Sequence, residues 1–165
     1  MASTYPTPTY TAPVPDADIR RMAGVNDSIL LIGRIALVVM FISSGLGKFM
    51  DIPGTAAMIA SKNLPQPTFL AMLAGAGEAI GGLMIVFGFQ TRIAALALLV
   101  YTGLATYFFH DFWNMAAGPE QMNNMIHAMK NLSVAGGFLM LAAVGAGRFS
   151  VDGPCIMHDR TTTVS

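Results

Sequence analysis

Four stretches of this chain are long, nearly unbroken apolar runs, and that feature decides what it can fold into. They cover residues 28–50, 68–89, 93–109 and 123–146. Crossing the hydrocarbon core of a bilayer takes roughly 17–25 apolar residues in a helix. Composition agrees: 11% of residues are charged, where a soluble domain carries about 25%. Prolines and polar residues separate the runs. Asp51 and Pro53 close the first; Pro65 and Pro67 precede the second; a minimal "QTR" turn precedes the third. Short connections make successive helices antiparallel neighbours. The expected fold is therefore all-α, a transmembrane four-helix bundle with antiparallel neighbouring helices.

The expected domain layout has three parts. Residues 1–27, with prolines at 6, 8, 13 and 15, form an extended or disordered Pro/Thr-rich tail, because proline removes a backbone donor and breaks helices. Asn26, Asp27 and Ser28 can each cap the first helix. Residues 28–146 form the membrane domain, and 147–165 a polar C-terminal tail. The stretch "GTAAMIASKNLPQP" reads as a short loop or interfacial helix. The N-terminus has neither the basic start nor the apolar stretch of a cleavable leader. One cysteine, Cys155, excludes an intrachain disulfide or a Cys-x-x-Cys pair. A formal net charge of zero gives no electrostatic case for nucleic acid. Arg20, Arg21, Arg92, Arg148 and Arg160 fall on one side of the bundle, and Lys48, Lys62 and Lys130 on or near the other. Basic residues favour the cytoplasmic side, so both termini are expected to face the cytoplasm, in a bacterial inner membrane. Phe108, Phe109, Phe112 and Trp113 fit an aromatic belt at the outer interface.

Glu78, in the middle of the second run, is the costly residue. A bare carboxylate near the bilayer midplane costs roughly 2.5–3.5 kcal/mol on insertion scales. By helical rise it lies roughly 15 Å below the outer end of its helix, and Lys130 roughly 10–12 Å below the outer end of its own. Arg34 approaches from the inner side. The expectation is that Lys130, Arg34 or both neutralise Glu78, in a buried network that includes Asn131; a protonated Glu78 is the alternative. Snorkelling of Arg34 to the headgroups carries equal weight. For Lys48, a local pair with Asp51 is the favoured reading. Ala71, Gly75, Ala79 and Gly82, with Gly77 and Gly81, present small residues that let helices approach closely. Thr102, Thr106 and His110 make a polar stripe, so Lys48, His110 and His127 are candidates for an outer quinone or ligand pocket. Two histidines on facing helices can ligate haem, but no further ligand set supports a metal, and no catalytic residue is assigned.

The segments "RIALVVMFISSGLGKF", "GTAAMIASKNLPQP", "GAGEAIGGLMIVFGFQTRIAAL", "FFHDFW" and "KNLSVAGGFLMLAAVGAGRFSVD" together resemble the DoxX family. The resemblance covers about Ile32 to Asp152 and leaves out the proline-rich tail. It implies a four-helix membrane protein similar to the small DoxD-type subunit of archaeal thiosulfate:quinone oxidoreductase. It also implies that Arg34, Lys48, Glu78, Arg92, His110, Lys130 and Asn131 are recurrent polar positions, without giving them a catalytic role. The leading expectation is an accessory subunit without activity or cofactor of its own, held in a larger energy-transducing or oxidoreductase complex in the bilayer through residues 1–27. The alternatives are a quinone-reducing subunit in thiosulfate or sulfur oxidation, with Glu78 relaying protons, and a small proton-coupled carrier. A homodimer stays open.

Overall fold

The computed structural model describes residues 16–153. Helix α1 spans Asp16–Met50, α2 Ile52–Ala60, α3 Pro67–Phe87, α4 Thr91–Phe109 and α5 Pro119–Val144, with a single 3₁₀ turn at Phe112–Asn114. Four of these helices have the length and apolarity to cross a membrane. The four-helix transmembrane expectation is met, and of the two readings for the stretch between the first two spans the short helix is the one found, as α2. The first boundary differs. Residues 16–27, expected to belong to an extended tail, are the first turns of α1. Pro15 is the last proline before α1, so nothing covalent stops the helix there. Asn26, Asp27 and Ser28 thus lie inside α1 and cap nothing; the Ser28 hydroxyl donates to the Gly24 carbonyl instead. Residues 1–15 of the tail, and Cys155, lie outside the described residues.

Packing order follows side-chain size. Helix α1 lies chiefly on α3, and α4 on α5, while α3 and α4 join the two pairs; α3 and α5 are diagonal, with no close approach of their backbones. The α1–α3 seam is close because α3 turns Ala71, Gly75, Ala79 and Gly82 toward it, all of them buried. A Cβ on Gly45 would lie 2.7 Å from both the Ala79 amide nitrogen and the Gly75 carbonyl oxygen. Gly77 faces open space, and Gly81 packs on Leu98 of α4. The core is made by Val38, Phe41, Ile85, Ala94, Ala95, Leu98, Phe138 and Leu141. Phe41 and Phe138 meet edge to face with ring centres 5.1 Å apart, a geometry that favours aromatic pairs beyond their buried area.

The polar segment after α5 folds back over one end of the bundle. Gly88 ends α3 with φ +69°, and a Cβ there would collide with Ser150, so the returning segment needs glycine at this point. Val151 and Asp152 donate their amides to the carbonyls of Phe87 and Gly88. Gln90, at the start of α4, makes no side-chain cap. Asp152 caps that helix instead: its carboxylate accepts the Gln90 amide at 2.8 Å, the Thr91 amide at 3.1 Å and the Thr91 hydroxyl at 3.3 Å. Arg34 completes the clasp. Its guanidinium, 2% exposed, donates to the main-chain carbonyls of Ala146 and Phe149. Burial alone raises the Asp152 carboxyl; the Thr91 and Gln90 amides, the Thr91 hydroxyl and the Arg34 charge outweigh it and hold the group below the usual carboxylate range.

Two outcomes follow. Gly45→Val should lower stability in detergent by ~1–3 kcal/mol, the usual cost of overpacking, because its new atoms meet backbone that cannot rotate away; Gly77→Ala should leave the melting temperature unchanged. For Asp152 the folded pKa is below the unfolded value of about 3.9. Its contribution is therefore present above that pH and lost as pH falls through the folded value. The gap in melting temperature between the parent and Asp152→Asn should be constant from neutral pH down to about pH 4 and close below it; a gap independent of pH would contradict the clasp.

Candidate functional site

At mid-length of α3 the small-residue seam brings an acid and a base together. Gly45 lets α1 approach, and Lys48, three residues on, lies opposite Gly75: a Cβ on Gly75 would be 3.3 Å from the Lys48 Cβ. One turn of α3 further along is Glu78. The Lys48 ammonium donates to Glu78 Oε2 at 2.7 Å and to the Ser44 hydroxyl at 2.7 Å. The two side chains are unequally covered, Lys48 22% exposed and Glu78 6%. Tyr101 of α4 lies within interaction range of the same carboxylate. Carboxylate, ammonium, hydroxyl and phenol thus meet where three spans converge.

The pairing corrects the expectation that Lys130 or Arg34 neutralises Glu78. Lys130 is exposed on α5 and forms no ion pair among the described residues. Matching depths did not suffice, because α5 is diagonal to α3 and packs on α4. Arg34 lies fourteen residues before Lys48 on α1, roughly 21 Å away along the helix, where it holds the clasp. Lys48 does not pair with Asp51 either. Asp51 caps α2, accepting the Gly54 amide at 2.9 Å. Nor is Lys48 at the outer edge of the bundle, as the expected outer pocket required. Gly75, the residue opposite it, is roughly 12 Å along α3 from its start, and α2 packs on α3.

The other candidates form separate groups. Asn131 donates to the Thr106 hydroxyl at 2.9 Å, linking α5 to α4. His110 and His127 stack with ring centres 4.9 Å apart and an interplanar angle of 12°, and His110 Nδ1 is 3.2 Å from Asn124 Oδ1. The expected outer set of Lys48, His110 and His127 is therefore split: the polar contacts of Lys48 go to Ser44 and Glu78, not to either ring. No cluster of three or more metal-ligating side chains occurs among the described residues. At the same end of the molecule, Lys62 and Asp111 pair at 3.0 Å, tying the loop after α2 to the one after α4. Ser44 and Tyr101 at the charge pair, and Asp152 at the clasp, are the positions that sequence reasoning missed. Gly45, one turn before Lys48 and able to face the small stripe of α3, was the available signal for the first.

An all-helical fold with four apolar spans and a charge pair buried between them defines a polytopic integral membrane protein. The family model for DoxX matches residues 29–111. The inner membrane protein YphA of Escherichia coli is 41% identical over 127 residues, 75% of this chain and 88% of the relative. YqjF of the same organism, also named an inner membrane protein, is 37% identical over 79% of this chain and 95% of its own length. The chain belongs to the DoxX family. A putative oxidoreductase of Bacillus subtilis, CatD, is 36% identical over 66 residues, 40% of this chain and 48% of the relative. No solved structure matches.

Breaking the pair from one side should be costly. In soluble proteins the loss of one partner of a buried ion pair costs about 3–5 kcal/mol; in membranes the unfolded chain also finds partners, and the loss is smaller. Glu78→Gln and Lys48→Met should each lower the melting temperature in detergent, and the double variant should recover part of the loss. Lys130→Met should melt like the parent. A parent-like Lys48→Met would exclude the pairing.

Proposed function

We propose that the chain is an accessory inner-membrane subunit of a redox complex that works at the quinone pool, with no catalytic step of its own. The observation that carries this reading is the Lys48–Glu78 pair. The charge inside the bundle is neutralised within the same chain and fixes α1 against α3 at 2.7 Å. The outward faces carry large apolar side chains such as Ile32, Leu83, Val100 and Leu139, suited to lipid and to other membrane helices. The redox link is supported by the name of the Bacillus subtilis relative. The inner-membrane placement is supported by the names of the two Escherichia coli relatives. The basic end of the bundle, with Arg92 and Arg148, would face the cytoplasm.

One observation favours a second reading, a quinone site at the pair itself. An ammonium has three donors, and Lys48 uses two, on Glu78 and Ser44. The third N–H is a donor that a quinone carbonyl can accept from, and Glu78 beside it, which the Tyr101 phenol faces, can hold a proton. The residues present therefore fit such a head group in chemistry.

Purification of the tagged full-length chain in mild detergent separates the readings. The accessory reading expects redox subunits to co-purify, and expects Glu78→Gln to lower the yield of complex while turnover per complex stays unchanged. An intact complex with lost turnover would move the assignment to the quinone site. A chain that purifies alone and carries proton-coupled flux in vesicles would replace both with a carrier. For orientation, a cysteine at Asn114 should label from outside intact cells while Cys155 is spared; the opposite pattern reverses the topology.

A further inference from the structure

The clasped end of the bundle holds a second polar site, far from the Lys48–Glu78 pair. A cavity of about 520 Å³ opens there, lined by Asp27, Thr91, Arg92, Gly145, Arg148 and Asp152 among others. Its level is set by the fold: α4 begins at Thr91 and α5 ends at Val144, so the cavity lies where the spans meet the headgroup layer.

Its lining charges balance in number, Arg92 and Arg148 against Asp27 and Asp152, but not in how they are engaged. Asp152 is committed to the Gln90 and Thr91 amides and the Thr91 hydroxyl. Asp27 accepts the Arg148 amide at 3.2 Å and lies 3.9 Å from the Arg148 Nε. At that distance the Arg148 guanidinium is only loosely held, and its side chain is 68% exposed. Arg92 extends over Gly145: a Cβ there would be 3.5 Å from its Nε and 3.6 Å from its Nη2. No hydrogen bond or ion pair engages the Arg92 side chain among the described residues. Arg34, beneath Ala146 and behind the lining, adds a buried positive charge bonded to main-chain carbonyls. Both lining carboxylates are thus engaged by donors of the fold, while the Arg92 guanidinium at the cavity wall is not.

We propose that this cavity binds the phosphodiester of an anionic phospholipid headgroup, held between Arg92 and Arg148. Guanidinium presents paired donors that match phosphate oxygens. The lipid is already at this level of the membrane, so its phosphate reaches the cavity without leaving the leaflet. Gly145 and Gly147, at φ +87° and +75°, turn the chain at the rim without side chains that would occupy the opening.

The test uses the full-length chain in nanodiscs of phosphatidylcholine with or without phosphatidylglycerol. Lipid retention is read by native mass spectrometry, and stability by thermal melting. Phosphatidylglycerol should be retained over phosphatidylcholine and should raise the melting temperature. Arg92→Gln should weaken that retention about tenfold, the scale of one lost hydrogen bond to a charged group. Lys130→Gln, which removes a cation from another part of the bundle, should leave it intact. Equal retention of both lipids by the parent overturns the proposal. So does an equal loss in Arg92→Gln and Lys130→Gln, which would mean diffuse attraction to a charged bilayer. If millimolar inorganic phosphate stabilises the parent in phosphatidylcholine as much as phosphatidylglycerol does, the ligand is free phosphate and the lipid assignment is wrong. Should Arg92→Gln fail to fold, the comparison of the two lipids and phosphate on the parent still decides.

Discussion

The structure depends on how closely α1 can approach α3. A carboxylate between apolar helices is tolerated only when its cation is at contact distance, and contact distance requires a seam without bulky side chains. Gly45, Gly75, Ala79 and Gly82 supply that seam. The 2.7 Å bond between Lys48 and Glu78 is thus a product of backbone packing as much as of charge. The two effects reinforce each other, because the pair opposes separation of the helices and the glycines allow the pair to form.

At the clasped end a different solution meets a similar need. Helix ends leave backbone donors and acceptors without partners, and near lipid there is little water to satisfy them. The carbonyls of Ala146 and Phe149, in the segment that returns after α5, are taken by Arg34, and the first amides of α4 by Asp152. An arginine from α1 thus holds the returning segment, and an aspartate in that segment satisfies the start of α4. Arg34 is neither a snorkelling residue nor the partner of Glu78; it is the centre of a terminal hydrogen-bond network.

The spans, their number and their antiparallel order were legible in the sequence because hydropathy and proline position report directly on local structure. The existence of a buried partner for Glu78 was also legible, since desolvation demands one. Its identity was not. Depth along a helix is a one-dimensional quantity, whereas contact depends on which helices are neighbours, and diagonal placement of α5 takes Lys130 out of reach. Asp152 was missed for a related reason. Capping rules operate within a few residues, and this cap comes from a residue 61 positions from Thr91. The early start of α1 shows the converse: proline stops a helix only where it occurs, and none occurs between 16 and 50.

The distant cap has a consequence for biogenesis. As the chain emerges, Lys48 is made before Glu78, so the ionic contact between α1 and α3 can form while α4 and α5 are still being synthesised. The amides of Gln90 and Thr91 must wait longer. Their acceptor is produced only after the fourth span has been made, and until then the leading turn of α4 has no protein partner for those donors. Membrane insertion is thereby separated from completion of the fold. Closure of residues 146–152 over the helix ends has to follow synthesis of the fourth span, because its donors and acceptors lie on both sides of that span.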